Sequence, residues 1–433
     1  MKAAFSTLGC RVNQYETEAM TEKFIEAGYE IVSFEDFADV YVINTCTVTS
    51  MGDKKSRQMI GRARRLNSNA IIAVVGCYSQ TAPQKVSQID GVDIVLGTRN
   101  KGDIIHYVDK FREENEKIIA VNDVMKNSTF ENLNIEKYQN KTRAFLKIQD
   151  GCNRFCSYCL IPYARGRVCS KSAQKITEEV RKLAAHGYKE IILSGIHIAS
   201  YGTDLNDGWD LVKVLQAVDD IDGIERIRIG SIDPVFFSDE VIEKISRIKK
   251  LCPHFHLSLQ SGCDETLKRM NRHYSTEEYK KIVKSLRNSI KDVSITTDII
   301  VGFPGESEEE FNTTYDYLKD IKLTKMHIFK YSPRKGTKAF DMKNAVDGDI
   351  KEYRSHKLIE LSMKNEKEFM DRFIGKTLNV LYEHECKDGY YEGYTPNYIK
   401  VISKSSEYLN DKILPAKITG TEEDFAYGEI IKS

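Results

Sequence analysis

The chain has 433 residues, more than one ordinary core accommodates, and its 41% apolar and 30% charged composition excludes disordered and fibrous classes. Lys plus Arg and Asp plus Glu balance at 64 each, so the chain is not globally basic, and any polyanionic partner must meet a local patch. No apolar run approaches the roughly 18 residues of a membrane span, and MKAAFSTLGCRVNQYE turns polar too early for a signal peptide; a cytoplasmic protein with no membrane partner is expected.

Residues 1–125 alternate short apolar runs with helical periodicity. KAAFSTLG, YEIVSF, DVYVINT, AIIAVVG and VDIVLGT read as buried strands, which predicts an α/β domain: a parallel sheet with helices on both faces. Cys10, Cys46 and Cys77 each fall directly after one of these strands. The carboxyl ends of parallel strands share one edge, where ligands bind, so three cysteines distant in sequence are expected to converge as metal ligands. After Cys46, MGDKKSRQMIGRARRLN sorts on a helix into two halves. Lys54, Lys55, Arg57, Arg62, Arg64 and Arg65 fill one, and Met59, Ile60, Ala63 and Leu66 the other. Only Asp53 offsets these cations, which makes the polar half a candidate RNA-phosphate surface.

Residues 126–142 are polar and aperiodic and read as a linker. From 143 to 345, six strands (AFLKIQD, EIILSGI, RIRIGSI, HFHLSLQ, ITTDIIVGF, KMHIFKYS) alternate with helices such as KITEEVRKLAAHG, which predicts a partial (β/α)6 barrel with its chemistry on the carboxyl-end loops. The first such loop holds GCNRFCSYC, with Cys152, Cys156 and Cys159. Three thiolates suit an iron–sulfur cube that keeps one iron free; a structural zinc site wants a fourth ligand, no second C-x-x-C supplies one, and Cys169 is a weak substitute. Ten cysteines in a reducing compartment argue against disulfides, and Cys169, Cys252, Cys263 and Cys386 read as small apolar groups. His254 and His256 alternate along a strand and read as structural.

Residues 346–374 form one long charged helix, and 375–433 change to short Gly- and Tyr-bearing strands, LNVLYE, GYYEGY, YIKVIS, ILPAKITG and AYGEII, which predict a small β-barrel. This last module carries seven Lys, no Arg and ten Asp or Glu, a poor balance for phosphate. Tyr390, Tyr391, Tyr394 and Tyr398 are candidates for stacking on bases, Tyr394 foremost.

C-x-x-x-C-x-x-C after the first strand of a six-unit βα series resembles the radical S-adenosylmethionine enzymes. Together with LGCRVNQYETE, NTCTVT, VVGCYSQ, GCNRFCSYCLIPYARGR, LSLQSGCDETLKRMNRHY and TTDIIVGFPGE, it resembles the methylthiotransferases of that superfamily over essentially the whole chain. The resemblance implies two 4Fe–4S clusters and S-adenosylmethionine. Cys152, Cys156 and Cys159 would hold the cluster that cleaves the cofactor to a radical. Cys10, Cys46 and Cys77 would hold a catalytic cluster that delivers sulfur, so that a methylthio group replaces a hydrogen. Ser194, Gly195, Ile196 and His197 stand where many radical enzymes carry Gly-Gly-Glu. Ser194, Gly195, Ser231 and Gln260 are the expected cofactor contacts, and Gly302 is expected to let backbone approach the adenine edge. Arg165 and Arg167, just past the triplet, are expected near substrate.

The C-terminal barrel resembles the RNA-binding TRAM module. LGCRVNQYETEAM resembles the branch that converts N6-threonylcarbamoyladenosine, next to the tRNA anticodon, to its 2-methylthio derivative. The partners implied are the anticodon stem-loop, an electron donor and a sulfur source. Isopentenyladenosine tRNA and a ribosomal-protein aspartate stand as alternative substrates, and a non-catalytic iron–sulfur RNA-binding or redox-sensing protein as an alternative of another class.

Overall fold

Every residue of Val40–Thr45 and Ile71–Gly76 is buried, as strands covered on both faces must be. They are β3 and β4 of a parallel sheet with β1 (Lys2–Thr7), β2 (Glu30–Val32), β5 (Ile94–Leu96) and β6 (Ile118–Ala120), in the order β2-β1-β3-β4-β5-β6. In this computed structural model all residues are described except 48–49, 127–128, 134, 136–141 and 432–433, and the side chains of 50 and 51. Helices α1 (Arg11–Glu26) and α5 (Ile104–Glu114) cover one face through Met20, Phe24, Ile104 and Val108. Between them in sequence, α2 (Ser50–Leu66) and α4 (Pro83–Ser87) cover the other through Ile60, Ala63 and Val86, and α3 (Cys77–Thr81) begins at the end of β4. The short β6 escapes sequence reading because three residues carry no period.

The second series supplies six parallel strands: β7 (Arg143–Asp150), β9 (Glu190–Gly195), β10 (Arg226–Ile229), β11 (His254–His256), β12 (Ser294–Val301) and β13 (Lys325–Lys330). Single bridges at Ile227–Leu251 and Ile232–Leu257 join the halves across β10 and β11. The result is an open (β/α)6 barrel. A two-residue β8 (Cys169–Ser170) pairs antiparallel with β7, again too short to read beforehand. Helices α7 (Ala173–Ala185), α8 (Leu211–Asp219), α9 (Asp239–Ser246), α11 (Thr276–Ser289) and α12 (Glu308–Ile321) pack outside. The short α6 (Ile161–Arg165) and α10 (Asp264–Arg269) lie on carboxyl-end loops. On α7, Ile176, Val180 and Leu183 are fully buried, each contributing roughly 1.5–3 kcal/mol of apolar burial.

Helix α13 (Gly348–Asp371) leads into β14 (Thr377–Lys387), β15 (Tyr390–Tyr394), β16 (Lys400–Lys404), β17 (Ile413–Thr421) and β18 (Ala426–Ile430), a closed barrel in the order β14-β15-β16-β18-β17. It docks on β10: Arg226 donates to the carbonyls of Tyr394 (2.9 Å) and Asn379 (3.0 Å), and Arg228 to that of Pro396 (3.1 Å).

Part of the 126–142 segment is no free linker. Phe130, Leu133 and Ile135 are buried, the last two in the core of the six-strand barrel; residues 127–128, 134 and 136–141 lie outside the described ones.

The N-terminal sheet and the six-strand barrel are joined by buried ions. Glu16 of α1 pairs with Lys101 (2.9 Å), Lys147 of β7 (2.9 Å) and Arg165 of α6. Asp150, at the end of β7, takes Lys147 (3.2 Å), Arg165 (3.3 Å) and Arg99 (3.5 Å). Burial alone would raise the Glu16 carboxyl; Arg165, Lys101 and Lys147 outweigh it and hold Glu16 well below the usual range. A depressed carboxylate contributes its stability above the ordinary value of 4.5 and loses it only as pH falls through the lower folded value. Glu16→Gln should therefore cost about 3–5 kcal/mol near neutral pH, read as a lowered unfolding midpoint, because it strands Lys101 and leaves Lys147 and Arg165 to share Asp150 alone. The gap to wild type should hold down to about pH 4.5 and narrow only below it; equal midpoints at neutral pH would refute the assignment.

Candidate active site

The triplet loop follows β7 directly. Gly151 has φ +72°, and a Cβ there would lie 1.9 Å from the Arg167 carbonyl oxygen, so only glycine lets the chain turn here. Phe155 inside the loop is also left-handed, at φ +49°. Each sulfur receives one N–H: Cys152 from the Arg154 amide (3.4 Å), Cys159 from the Ile161 amide (3.4 Å), and Cys156 from the Arg272 guanidinium (3.3 Å). Hydrogen bonds to sulfur are among the features by which proteins tune iron–sulfur clusters. Burial pushes the Cys152 thiol up to about 11 and the Cys159 thiol to about 12, so both carry protons until a metal displaces them. Among the described residues no group of three or more His, Cys, Asp or Glu is placed to hold a single ion.

All three sulfur-bearing residues line a cavity of about 790 Å³ between the barrel mouth, α1 and the C-terminal barrel. Ser194, Gly195, Ser231 and Gln260 line it as well. Ser194 is buried, and its hydroxyl has no hydrogen-bond partner, as expected of a group awaiting a ligand. Gly195 has a local reason too: a Cβ there would press on Gln149 at 2.8 Å. Gln260 is held at φ +74°, a strained setting for a non-glycine residue. His197 stacks its roles in the place of the missing Gly-Gly-Glu: its backbone N–H donates to Gln149 (2.7 Å), and its ring reaches Ser200 and Asp233. Burial alone would raise the Asp233 carboxyl. His197, Arg272 and Arg154 outweigh it and hold the group down to about 2, a fixed anion beside the triplet.

The three N-terminal cysteines meet as the sheet topology requires. β1, β3 and β4 are neighbours, Cys10 caps α1, Cys46 follows β3, and Cys77 opens α3. Cys10 lines the same cavity as the triplet. Cys46 stands against Gly9: a Cβ on Gly9 would lie 2.7 Å from its Cβ and 2.9 Å from its Sγ. Cys77 is buried and accepts from Arg165 Nε (3.3 Å). Arg165 also donates to Asn13 Oδ1 (2.6 Å), and Asn13 in turn donates to the carbonyls of Leu8 and Thr45, tying the loops of Cys10 and Cys46 together.

Several expected roles change. Arg165 is fully buried, is not among the cavity residues and bonds to the cysteine loops; Arg167 is exposed, over the Phe155 ring. Gly302 is not among the cavity residues. Its φ is +70°, and the place of its absent Cβ is taken by Lys351 of α13 at 2.2 Å. Arg64 is folded onto the carbonyls of Ala70 (3.1 Å) and Ser68 (2.6 Å) and pairs with Asp93 (3.1 Å), so it braces a loop, while Arg62 pairs with Glu35. Lys54, Lys55, Arg57 and Arg65 remain exposed, and Asp53 pairs with Arg334 (2.8 Å). The tyrosines are not surface platforms: Tyr391 is buried and Tyr390 half-buried, and Tyr394 and Tyr398 stack on each other (5.1 Å) in the cavity wall. His254 and His256, read as structural, line the cavity, as do Arg11, Arg154, Arg272 and His327.

An open six-strand βα barrel with three cysteines on its first loop, facing a parallel sheet with three more at its strand ends, defines a radical S-adenosylmethionine enzyme with a second cysteine site. The radical SAM superfamily model matches residues 146–318, and the model of uncharacterized protein family UPF0004 matches residues 2–97. The chain is 44% identical to threonylcarbamoyladenosine tRNA methylthiotransferase MtaB of Bacillus subtilis, over 99% of this chain and 96% of that protein. It is 44% identical to the protein of the same name from Aquifex aeolicus (88% and 92% covered), and 38% identical to tRNA-2-methylthio-N(6)-dimethylallyladenosine synthase of Clostridium tetani (88% and 85%). The radical S-adenosylmethionine methyltransferase TsrM of Kitasatospora setae shares the fold, with TM-score 0.59 at 14% identity over 78% of this chain and 77% of that one. The chain belongs to the tRNA methylthiotransferase family of radical S-adenosylmethionine enzymes, and S-adenosylmethionine and 4Fe–4S clusters are its cofactors. No helix among the described residues is long and apolar enough to cross a membrane.

Gly9→Ala should displace Cys46, since both φ +104° and the sulfur contact forbid a Cβ. Iron per chain after anaerobic reconstitution is expected to fall toward that of a single cluster. Wild-type iron content in the variant would show that Cys46 has room to yield.

Proposed function

We propose that this enzyme converts N6-threonylcarbamoyladenosine beside the tRNA anticodon to its 2-methylthio derivative. Cys152, Cys156 and Cys159 hold the cluster that engages S-adenosylmethionine, and Cys10, Cys46 and Cys77 hold the one that donates sulfur. The observation that carries the reading is that Cys10 and the triplet open on one cavity, so a base held there faces both sites. The names of the two relatives at 44% identity support the substrate. When bound, the cofactor and its cluster supply a carbon-centred radical able to abstract hydrogen from an unactivated carbon. The protein's own part is positional. Ser194, Gln260 and the Asp233–Arg272–Arg154 group line the triplet end of the cavity and orient what binds there. The docked barrel and α1 supply two walls of the same cavity. A tRNA substrate fits a cytoplasmic reaction, which would also need a reductant and a sulfur source.

The exposed cations of α2 would take tRNA phosphate. Charge reversal of Lys54, Lys55, Arg57 and Arg65 should weaken tRNA binding whatever the sequence and flatten its salt dependence. Arg64→Ala should lower thermal stability and leave the salt slope intact. If reversal of the exposed four leaves binding unchanged, the phosphate surface is elsewhere.

Alanine at Cys152, Cys156 or Cys159 should abolish reductive cleavage of the cofactor. Alanine at Cys10, Cys46 or Cys77 should abolish methylthiolation while some cleavage persists. Nucleoside mass spectrometry of tRNA from cells lacking the gene should show loss of 2-methylthio-N6-threonylcarbamoyladenosine with accumulation of its precursor. An unchanged nucleoside, with loss of the isopentenyl-type product instead, would move the substrate assignment.

A further inference from the structure

The cavity has two ends of different character. At the triplet end Arg154 and Arg272 are held by Asp233 (3.7 and 3.3 Å). At the end walled by the C-terminal barrel, Lys325 pairs with Glu366 (2.8 Å) and Lys400 with Asp424 (2.7 Å). Among the described residues, Arg11 is the one lysine or arginine of the lining without a carboxylate partner. It follows Cys10, opens α1, and donates only to the Tyr398 hydroxyl (3.1 Å) while lying over the Phe145 ring. A partly buried guanidinium with most of its donors unspent calls for an anion.

A second observation points to the same spot. Tyr398 is held at φ +68° between Tyr394 and His254, whose ring stacks on it at 4.6 Å. His254 is 94% buried, its Nε2 lies 3.4 Å from the Thr296 hydroxyl, and its Nδ1 has no partner. Burial and the neighbouring Arg228, His256, Arg11 and His327 push its pKa well below the ordinary value, so the ring is neutral and offers a hydrogen bond without a competing counter-ion. Three guanidiniums, of Arg11, Arg143 and Arg228, surround Tyr398; Arg143 is engaged by Glu383 and Arg228 by Glu190, which leaves Arg11 free to act.

We propose that Arg11 and His254 form a subsite for the carboxylate of the substrate's threonylcarbamoyl group. The inference rests on the substrate reading above. The threonyl moiety ends in a free carboxylate, whereas an isopentenyl group is wholly apolar. The subsite therefore gives a physical basis for choosing between the two substrate types named among the relatives. The carboxylate of the cofactor's methionyl group is not the occupant, because it belongs at the triplet end, with the cluster that chelates it.

The test uses the reconstituted holoenzyme and two synthetic anticodon stem-loops. One carries N6-threonylcarbamoyladenosine, the other its methyl ester, in which the same group is uncharged. Wild type should lose roughly tenfold or more in kcat/KM on the ester, mainly through KM, as expected for a charged hydrogen bond. Arg11→Gln should lose a similar factor on the acid and little further on the ester; Arg11→Lys should recover part of the loss on the acid alone. The wild-type comparison needs no variant, so it stands even if Arg11→Gln loads iron poorly. Equal turnover of acid and ester by wild type would overturn the subsite, as would an equal loss on both RNAs in Arg11→Gln, which would assign the guanidinium to a backbone phosphate or to the cluster. No methylthio product from the acid, with product from an isopentenyladenosine stem-loop, would sink the substrate reading itself.

Discussion

The joint between the N-terminal sheet and the βα barrel depends on one buried ion network, and the two cysteine sites depend on that joint. Glu16 and Asp150 face Arg99, Lys101, Lys147 and Arg165, and Glu131 acts on Lys101 from farther out. Taking so many charges out of water is costly, and the network is stable only because every member meets an opposite one. The cations still outnumber the carboxylates. That imbalance would be a liability in an isolated core. Here the surplus adjoins Cys77 through Arg165, where thiolates bound to a cluster would carry the complementary negative charge. The same guanidinium touches Asn13, which fixes the loops of Cys10 and Cys46. Geometry and charge balance at the first cysteine site are thus set by a residue from the loop that carries the second.

This coupling explains how two sites built on separate sheets open on one cavity. α3, which begins at Cys77, packs against α6, which follows the triplet, and Thr98 and Arg99 hold α6 by its carbonyls at 2.7 Å each. A Cβ on Gly166 would meet the Val124 carbonyl oxygen at 2.2 Å, so the two domains come as close as backbones can. Cys10 and the triplet therefore line a single cavity.

The sequence made the architecture legible where topology alone decides the outcome. Apolar runs covered on both faces could only be parallel strands, and a cysteine after each of three such strands had to reach a common edge. What stayed hidden were the partners of buried charges. Arg165 looked like a substrate contact because nothing local showed that Glu16, 149 positions away, would enclose it. Arg64 fell on the polar half of its helix, yet near the helix end it had loop carbonyls within reach. His254 and Tyr398 became cavity residues only because the C-terminal barrel docks beside β11, a contact that no periodicity encodes. A signal was nevertheless present: Lys147 and Asp150 in RAFLKIQD, and Arg226 and Arg228 in RIRI, are charges inside otherwise apolar barrel strands, and such residues need partners from elsewhere in the fold.

The joint of the C-terminal barrel has an evolutionary consequence. Arg226 and Arg228 grip it by main-chain carbonyls of Asn379, Tyr394, Thr395 and Pro396, and Asn397 returns one hydrogen bond to the Asp292 carbonyl. Main-chain acceptors are indifferent to side-chain identity. The part of the docking made by these carbonyls therefore tolerates drift in the barrel's strands, whereas the Glu383–Arg143 ion pair and the stacking of Tyr398 on His254 depend on the side chains present. An attachment of this kind lets one catalytic core keep its chemistry as the adjoining wall is rewritten for a different modified nucleoside.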